Sequence, residues 1–245
     1  MEILEITVMT YNIHHGKGSD KISDLNRIAE VIKKSKADII GLNEVDKHLS
    51  KRSNYVNQVE WLAKQLNMYQ IFSPSISIPT FNSSNVRQYG NALLSSYPIV
   101  NHTNFSFNFI PGLVEGRSLL EATIEINKKL FRIYVTHLSL NTFLHRKQTD
   151  FIINLVHKCS HPIIIMGDWN MRTGSHGWKK ITRELHDVWD QAGNGEGFTY
   201  PSLRPRRRLD YLFVSSSFRI DNVELVTLLS KASDHLPLKA TLTLD

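Results

Sequence analysis

Alternation of apolar and polar residues with a period of two recurs along both halves of the chain, and amphipathic helical patterns interrupt it. The predicted helices lie at residues 23–36, 55–66 and 142–158. The predicted strands lie at residues 3–13, 38–45, 69–73, 91–95, 99–110, 119–126, 130–138, 162–166, 209–214, 222–230 and 236–244. Because helices are inserted between strands in both halves, the pattern predicts an α/β protein in which two sheets pack face to face with the helices outside.

Length and composition are those of a globular protein. The 245 residues, 41% of them hydrophobic, can bury a large core, and no Pro- or Gly-rich linker divides the chain, so we expect a single domain over residues 1–245. Cys159 is the only cysteine, which excludes an intramolecular disulfide and a Cys-rich zinc site. The N-terminus does not resemble a secretion signal, and no apolar run approaches the ~20 residues that cross a bilayer. We therefore expect a cytoplasmic monomer without a transmembrane segment.

The chain carries a formal net charge of +6, and most of the excess lies in its second half. Four arginines are concentrated around Pro205, namely Arg204, Arg206, Arg207 and Arg208. Such a basic loop is compatible with a phosphorylated or polyanionic partner, and equally with a loop that only faces water. A polar loop predicted at residues 74–88, which carries Arg87, is a candidate substrate-side loop.

Polar residues that a core would not require occur at the ends of six predicted strands. They are Asn12, Glu44, His137, Asp168 with Asn170, Asp210, and Asp234 with His235. A single Asn or Asp after a strand is usually a turn residue. Six such positions at strand ends, where sheet proteins place their active sites, indicate a functional site instead.

These residue types fit one kind of chemistry. Glu44, Asp234 and the side-chain oxygen of Asn12 are hard oxygen ligands, which suit Mg²⁺ or Mn²⁺. A histidine paired with a carboxylate can act as a general base, because the carboxylate fixes one ring nitrogen and leaves the other free to deprotonate water. A bound divalent ion neutralises charge on a phosphoryl group. The set therefore predicts hydrolysis of a phosphate ester.

The motifs together resemble a known superfamily. In chain order they are TYNIHHG, GLNEVD, YGNALLSSYPI, THLSL, GDWN, RLDYLF and SDHLPL. This series, which spans about residues 8–238, is similar to the endonuclease/exonuclease/phosphatase superfamily, whose members include deoxyribonuclease I, repair nucleases, sphingomyelinases and inositol phosphate phosphatases. The resemblance implies a four-layer α/β-β/α sandwich, with an active site at the top of both sheets and Mg²⁺-dependent hydrolysis of phosphoesters.

The resemblance also implies residue roles. Glu44 and Asn12 would bind the metal ion, and Asp234 would be a further ligand or an orienting carboxylate. His235 would be the general base with Asp210 as its partner. The remaining implied roles are orientation of the nucleophile and stabilisation of the phosphorane by Asp168 and Asn170, a phosphate contact or leaving-group protonation by His137, and a substrate contact by Arg117.

The double histidine His14-His15-Gly16 is the most distinctive local motif. It resembles a loop in small bacterial members of the superfamily. Two interpretations remain open, namely loop histidines that hydrogen-bond the backbone, or an extension of the phosphate or metal site, since both residues closely follow Asn12. We predict that both histidines contribute to substrate binding.

The substrate has several candidates at this point. The basic loop favours a nucleic acid, so that the protein would be a phosphodiesterase or nuclease. The absence of a stacking array of aromatic residues in the loop at 74–88 leaves a lipid or small-molecule phosphate as an alternative. A relative that binds without catalysis is a third interpretation, although every expected catalytic position is occupied.

Overall fold

The computed structural model describes residues 4–80, 86–107 and 116–244, and twelve strands lie in this part of the chain. The strands are β1 (Leu4–Asn12), β2 (Ile39–Lys47), β3 (Tyr69–Ile78), β4 (Arg87–Ser95), β5 (Ile99–Ser106), β6 (Ser118–Ile126), β7 (Lys129–His137), β8 (Ile163–Asp168), β9 (His186–Asp187), β10 (Asp210–Val214), β11 (Phe218–Leu225) and β12 (Leu238–Leu244). They form two six-stranded sheets, in the orders β11-β12-β1-β2-β4-β3 and β5-β6-β7-β8-β10-β9. Neighbouring strands are antiparallel except for β1 with β2 and β7 with β8.

Helices cover the outer faces of both sheets. They are α1 (Leu25–Ser35), α2 (Gln58–Leu66), α3 (Thr142–Lys158) and α4 (His176–Ile181). The further short helix α5 (Val188–Ala192) instead contributes Val188 to the core between the sheets. No helix among the described residues is long and apolar enough to cross a membrane. The compartment, the single domain and the monomeric state stay predictions.

Three apolar clusters separate the layers. The first lies between the sheets and includes Ile6 and Val8 of one sheet with Ile133 and Met166 of the other. The second packs α1 and α2 on the outer face of the first sheet, where Met9 alternates with Val8. The third packs α3 and α4 on the second sheet. Burial of each large aliphatic side chain contributes about 1.5–3 kcal/mol. The predicted four-layer sandwich of mixed, mainly antiparallel sheets with outer helices is confirmed.

The two parallel pairs determine where the functional residues meet. In each pair a helix connects the strands, so that β1-α1-β2 and β7-α3-β8 both bring two carboxyl ends to one edge of a sheet. Asn12 consequently lies beside Asn43, and His137 lies beside Asp168. The antiparallel partner β10 begins at Asp210, directly opposite Asp168.

Several element boundaries differ from the prediction. Helix α1 begins after Asp24 rather than Ser23, because the Asp24 carboxylate accepts a hydrogen bond from the backbone of Asn26. The predicted loop at 74–88 is shorter, since β3 continues to Ile78 and β4 begins at Arg87. Residues 81–85 of that loop and 108–110 of the predicted strand at 99–110 lie outside the described residues. The short elements α4, α5 and β9 were not predicted, because they are too short to show a period.

The prediction of a basic loop with four arginines is wrong for one of them, Arg208. Arg208 is only 6% exposed, and its guanidinium forms an ion pair with the buried carboxylate of Asp187 at 2.6 Å between Nη2 and Oδ2. The guanidinium also lies over the ring of Tyr211. Arg204, Arg206 and Arg207 are exposed. Arg208 therefore pairs with a buried residue of the second sheet instead of facing water with the rest of the loop.

We expect Arg208→Met to lower the free energy of unfolding by about 3 kcal/mol, because it leaves the carboxylate of Asp187 buried without its partner. Burial already raises the pKa of Asp187 against the favourable charge of Arg208. Removing the arginine raises this pKa further, so the folded state holds the proton more tightly than the unfolded state. The decrease in the free energy of unfolding should therefore grow as pH rises above about 4.

Denaturant unfolding at about pH 5 and about pH 8 measures both effects. The exposed Arg206→Met is the matched control and should unfold like the wild type. Equal stability of the two variants would contradict a structural role for Arg208.

Candidate active site

A buried asparagine connects the two sheets at the edge where the predicted site residues meet. The Asn43 side-chain nitrogen donates to Asn91 Oδ1 at 2.8 Å and to the Thr136 carbonyl at 2.9 Å. Its oxygen accepts a hydrogen bond from the backbone N–H of Asp168 at 2.9 Å. All of its side-chain polar atoms are thus paired with β4, β7 and β8, and they fix the distance between the sheets.

Glu44 reaches the site through a distortion of β2. The pairing of β2 with β4 shifts between Leu42 and Val45, and Glu44 has a φ of 59°. Such a bulge turns a side chain away from the regular alternation of a strand. The Glu44 carboxylate consequently faces the cleft between the sheets, although its neighbours on β2 are buried.

Gly167 allows Asp168 to approach β7 closely. Its φ is 149°, and a Cβ atom at this position would lie 1.8 Å from the carbonyl oxygen of Thr136. Only glycine therefore fits directly before Asp168. This contact explains the glycine of the Gly-Asp-Trp-Asn sequence.

Asn12 links two carboxylates. Its side-chain nitrogen donates to Glu44 Oε1 at 3.0 Å and to Asp168 Oδ2 at 3.1 Å. Its side-chain oxygen accepts from the backbone N–H of His14 at 3.1 Å. Asn12 thus acts as a hydrogen-bond donor to the carboxylates here, and its role as an oxygen ligand stays a prediction that requires the opposite orientation of the amide.

His235 and Asp210 form a buried pair. The distance between His235 Nδ1 and Asp210 Oδ2 is 2.7 Å, and His235 Nε2 lies 3.8 Å from Asp168 Oδ2. Burial opposes the charged imidazole, but the carboxylates of Asp210, Asp168 and Asp234 outweigh it and raise the pKa of His235 to about 10. Burial and the charge of Asp210 raise the pKa of Asp168 to about 7. The negative charges of the clustered carboxylates therefore favour the protonated forms of His235 and Asp168.

His137 is a neutral neighbour of this cluster. Its Nε2 lies 3.6 Å from Asp168 Oδ2. Burial lowers the pKa of His137 well below its usual value, and the positive charges of Arg117 and His235 lower it further.

The Asn170 backbone N–H donates to Asp168 Oδ1, and its side-chain nitrogen donates to the Leu138 carbonyl. Asn170 thus holds Asp168 in place.

An open cleft of about 490 Å³ contains most of the predicted residues. The predicted site residues on its walls are Glu44, Arg117, His137, Asp168, Asn170, Asp234 and His235. Asp210 contacts His235, and Asn12 contacts Glu44, as described above. His14 lies at the border, with its Nδ1 3.5 Å from Asp234 Oδ1. The structure therefore brings the residues of all six strand ends to one place.

The cleft also contains residues that the sequence analysis missed. Tyr89, Tyr200 and Arg172 line it, and the ring of Tyr200 packs on His235 at 4.8 Å between centroids. Arg207, which the sequence analysis placed in the basic loop, lines the cleft as well. Asn43 was overlooked as well. An asparagine inside an otherwise apolar strand was the available signal for Asn43, whereas the cleft tyrosines and Arg172 have no distinctive sequence pattern.

The donor set of the site fits a divalent ion. Two groups of side chains bring ligand atoms within 4.8 Å of one another: Asp168, Asp210 and His235 form one, and His14, His15 and Glu44 form the other. Asp210 Oδ1 is buried and has no hydrogen-bond partner among the residues that the structure describes. A buried carboxylate oxygen in this state favours a nearby cation.

Two packed sheets with a His-Asp pair and carboxylates at their joined ends define a phosphoesterase-like site. The chain belongs to the Endonuclease/Exonuclease/phosphatase family, whose sequence model matches residues 9–235. Members of this family hydrolyse phosphoester bonds, include phosphatases and nucleases, and typically depend on divalent metal ions. The predicted family membership is confirmed.

Individual proteins are similar to this chain in sequence or in fold. The uncharacterized protein YbhP of Escherichia coli strain K12 is 25% identical over 250 residues, which cover 97% of this chain and 96% of the relative. The crystal structure of an endonuclease/exonuclease/phosphatase from Beutenbergia cavernae superposes with a TM-score of 0.82 at 24% identity, covering 98% of this chain and 72% of that one. The mannosyl-6-phosphatase of Bacteroides thetaiotaomicron superposes with a TM-score of 0.77 at 17% identity, covering 97% and 99%.

We expect Asp210→Asn to lower the pKa of His235 from its value of about 10, because the substitution removes the neighbouring charge and leaves burial to oppose the imidazolium. An NMR titration of the histidine ring in the metal-free protein measures this change. Asp150→Asn, on the exposed face of α3, is the control and should leave the titration unaltered. An unchanged pKa in Asp210→Asn would show that the two groups do not interact.

Proposed function

We propose that this protein is a divalent-metal-dependent hydrolase of phosphoester bonds. The observation that carries the proposal is the buried His235–Asp210 pair, at 2.7 Å, beside Asp168 in a cleft that also contains Glu44 and Asp234. A histidine oriented by a carboxylate is the arrangement that activates water in hydrolases. The family to which the chain belongs supports the same reaction class.

Glu44 and Asp234 would hold a Mg²⁺ or Mn²⁺ ion, with Asn12 as a further ligand. When bound, such an ion supplies Lewis acidity and neutralises charge on the phosphoryl group. Glu44 and Asp234 both line the cleft, and their carboxylates offer the oxygen ligands that hard cations require. Asp234 also lies next to His235 in the chain, so the metal site and the proposed base are adjacent.

His235 would accept the proton of the attacking water at Nε2, because Asp210 occupies Nδ1. His235 can accept this proton only as a neutral imidazole. A metal ion held by Asp234 would favour the neutral form, because its positive charge disfavours a second positive charge on the imidazole. Asp168 and Asn170 would orient the water. His137 would contact a phosphate oxygen or protonate the leaving group, and Arg117 would bind a phosphate oxygen from the same wall.

The main substrate candidate is a phosphodiester, which includes DNA or RNA. Arg172 and Arg207 line the cleft beside the catalytic residues, where they could contact neighbouring phosphates. Exposed Arg204 and Arg206 continue this basic surface along the same loop. His14, which contacts Asp234 at the border of the cleft, and the following His15 are proposed to contribute to substrate binding.

A phosphate on a lipid or small molecule is the second candidate. The mannosyl-6-phosphatase superposes over nearly the whole chain, and its name describes a phosphatase of a sugar phosphate. The walls formed by Tyr89 and Tyr200 would suit a compact organic group next to the phosphate.

We expect the protein to hydrolyse bis-p-nitrophenyl phosphate with Mg²⁺ or Mn²⁺, and His235→Ala to lower kcat/KM by about 10²- to 10⁴-fold through loss of the base. Steady-state kinetics measure this effect. His102→Ala, an exposed histidine on β5, is the matched control and should retain full activity. A panel of plasmid DNA, RNA, sphingomyelin, glycerophosphodiesters and sugar phosphates distinguishes the substrates.

Two outcomes would overturn the proposal. Inactivity of the wild type on the whole panel would favour a relative that binds without catalysis. Equal activity of His235→Ala and His102→Ala would remove His235 from the reaction. Activity on nucleic acid that falls steeply with salt would support phosphate contacts by the arginines, whereas activity on sugar phosphates alone would support the second candidate.

A further inference from the structure

Two histidine rings lie beside the carboxylate of Glu44. His14, His15 and Glu44 each bring one ligand atom to a common place, where these atoms are within 4.8 Å of one another. The two rings are nearly perpendicular, with centroids 4.5 Å apart. Asp234 lies at the border of this group through its contact with His14. Two imidazole rings, each a potential nitrogen ligand, therefore lie beside the carboxylate of Glu44.

The backbone holds these three residues in unusual conformations. His14, His15 and Glu44 have φ values of 44°, 46° and 59°, which are uncommon for residues other than glycine. Strained residues of this kind persist where the surroundings fix them, and they are concentrated at functional sites. Three such residues with converging side chains are therefore unlike an ordinary surface loop.

Buried contacts hold the histidine loop against β2. The Gln58 side chain donates to the carbonyl of His15 at 2.8 Å and accepts from the backbone N–H of Asp46 at 2.9 Å. Ile13 donates to the carbonyl of Asn43 at 3.1 Å. The loop is thus connected on both sides of Glu44, which fixes the rings relative to the carboxylate.

His15 carries a polar atom without a partner. The residue is only 8% exposed, and its Nδ1 forms no hydrogen bond within the described part of the chain. A buried ring nitrogen in this state is costly unless a ligand satisfies it. The interpretation of both residues as histidines that hydrogen-bond the backbone does not account for this atom.

We propose that His14 and His15 join Glu44 as ligands, so that the metal site prefers a transition metal ion such as Zn²⁺ or Mn²⁺ to Mg²⁺. Imidazole nitrogen binds first-row transition metal ions well, whereas Mg²⁺ selects oxygen ligands and retains water. The inference rests on the proposed function, because Glu44 is shared with the proposed catalytic metal site. It changes the role of the two histidines from substrate binding to metal selection.

Metal binding by the full-length protein without substrate tests the inference. Electron spin echo envelope modulation of bound Mn²⁺ should show ¹⁴N coupling in the wild type, which His14→Gln/His15→Gln should lose. Isothermal titration should show Zn²⁺ affinity at least about 100-fold weaker in this variant, because directly bound ligands matter more than their outer partners. The Mg²⁺ affinity should change less than about threefold, since its oxygen ligands remain.

The control variants distinguish the loss of two metal ligands from a general loss of structure. His102→Gln/His186→Gln removes two exposed histidines and should bind both ions like the wild type. His14→Gln alone, which alters the more exposed of the two rings, serves if the double variant does not fold; it should reduce the ¹⁴N coupling and Zn²⁺ affinity and leave Mg²⁺ affinity unchanged. Absence of ¹⁴N coupling in the wild type would overturn the inference, as would persistence of the full coupling in the folded double variant.

The two proposals fail separately. Histidine ligation of Mn²⁺ in a protein that hydrolyses no phosphoester would support this inference and overturn the proposed function. Hydrolysis supported by Mg²⁺, with Zn²⁺ and Mg²⁺ affinities that fall in parallel in the double variant, would support the function and overturn the selection of metal by His14 and His15.

Discussion

The site depends on one buried amide. Asn43 satisfies groups on three other strands at once, and its bond to the backbone of Asp168 joins the strand that carries Glu44 to the sheet that carries Asp168 and Asp210. An apolar residue there would leave a buried N–H and two buried oxygens without partners, each at a cost of about 1–3 kcal/mol. The two halves of the site are therefore held in register by hydrogen bonding, while the apolar cores on either side provide most of the cohesion.

Much of this architecture could be predicted because the signals were local. Alternation located the strands, and the helical period placed α3 at the residues where it occurs, Thr142–Lys158. The clustering of strand-end residues followed from the parallel connections. Arg208 and Asn43 could not be placed in this way, because their burial depends on partners distant in the chain, Asp187 and Asp168. In the sequence alone, a run of charged residues is typical of a solvated loop, and an asparagine is typical of a turn. Only the tertiary contacts show that such a residue is buried.

The electrostatics of the cleft explain why carboxylates can be packed together. Asp168 and Asp210 lie on adjacent strands at the same level, and both are buried. Without a bound cation, His235, whose pKa is raised, supplies positive charge, and the raised pKa of Asp168 favours its neutral, protonated form. A divalent ion would replace protons as the balancing charge, so metal binding and proton release are linked in such a site. The exposed arginines Arg204, Arg206 and Arg207 lie on one loop beside this acidic centre, and Arg207 also lines the cleft.

The residues of the site that have a left-handed backbone conformation limit how this protein can be stabilised by substitution. Glycine would adopt the backbone of His14, His15 and Glu44 freely, whereas other residues cost about 1–2 kcal/mol in such a conformation. A chain optimised for thermal resistance alone would place glycine at all three positions and lose the side chains that approach the cleft. Stabilising this protein and preserving its chemistry are therefore opposed goals at these positions, and a thermostable variant would have to gain its stability in the outer helices and sheet edges.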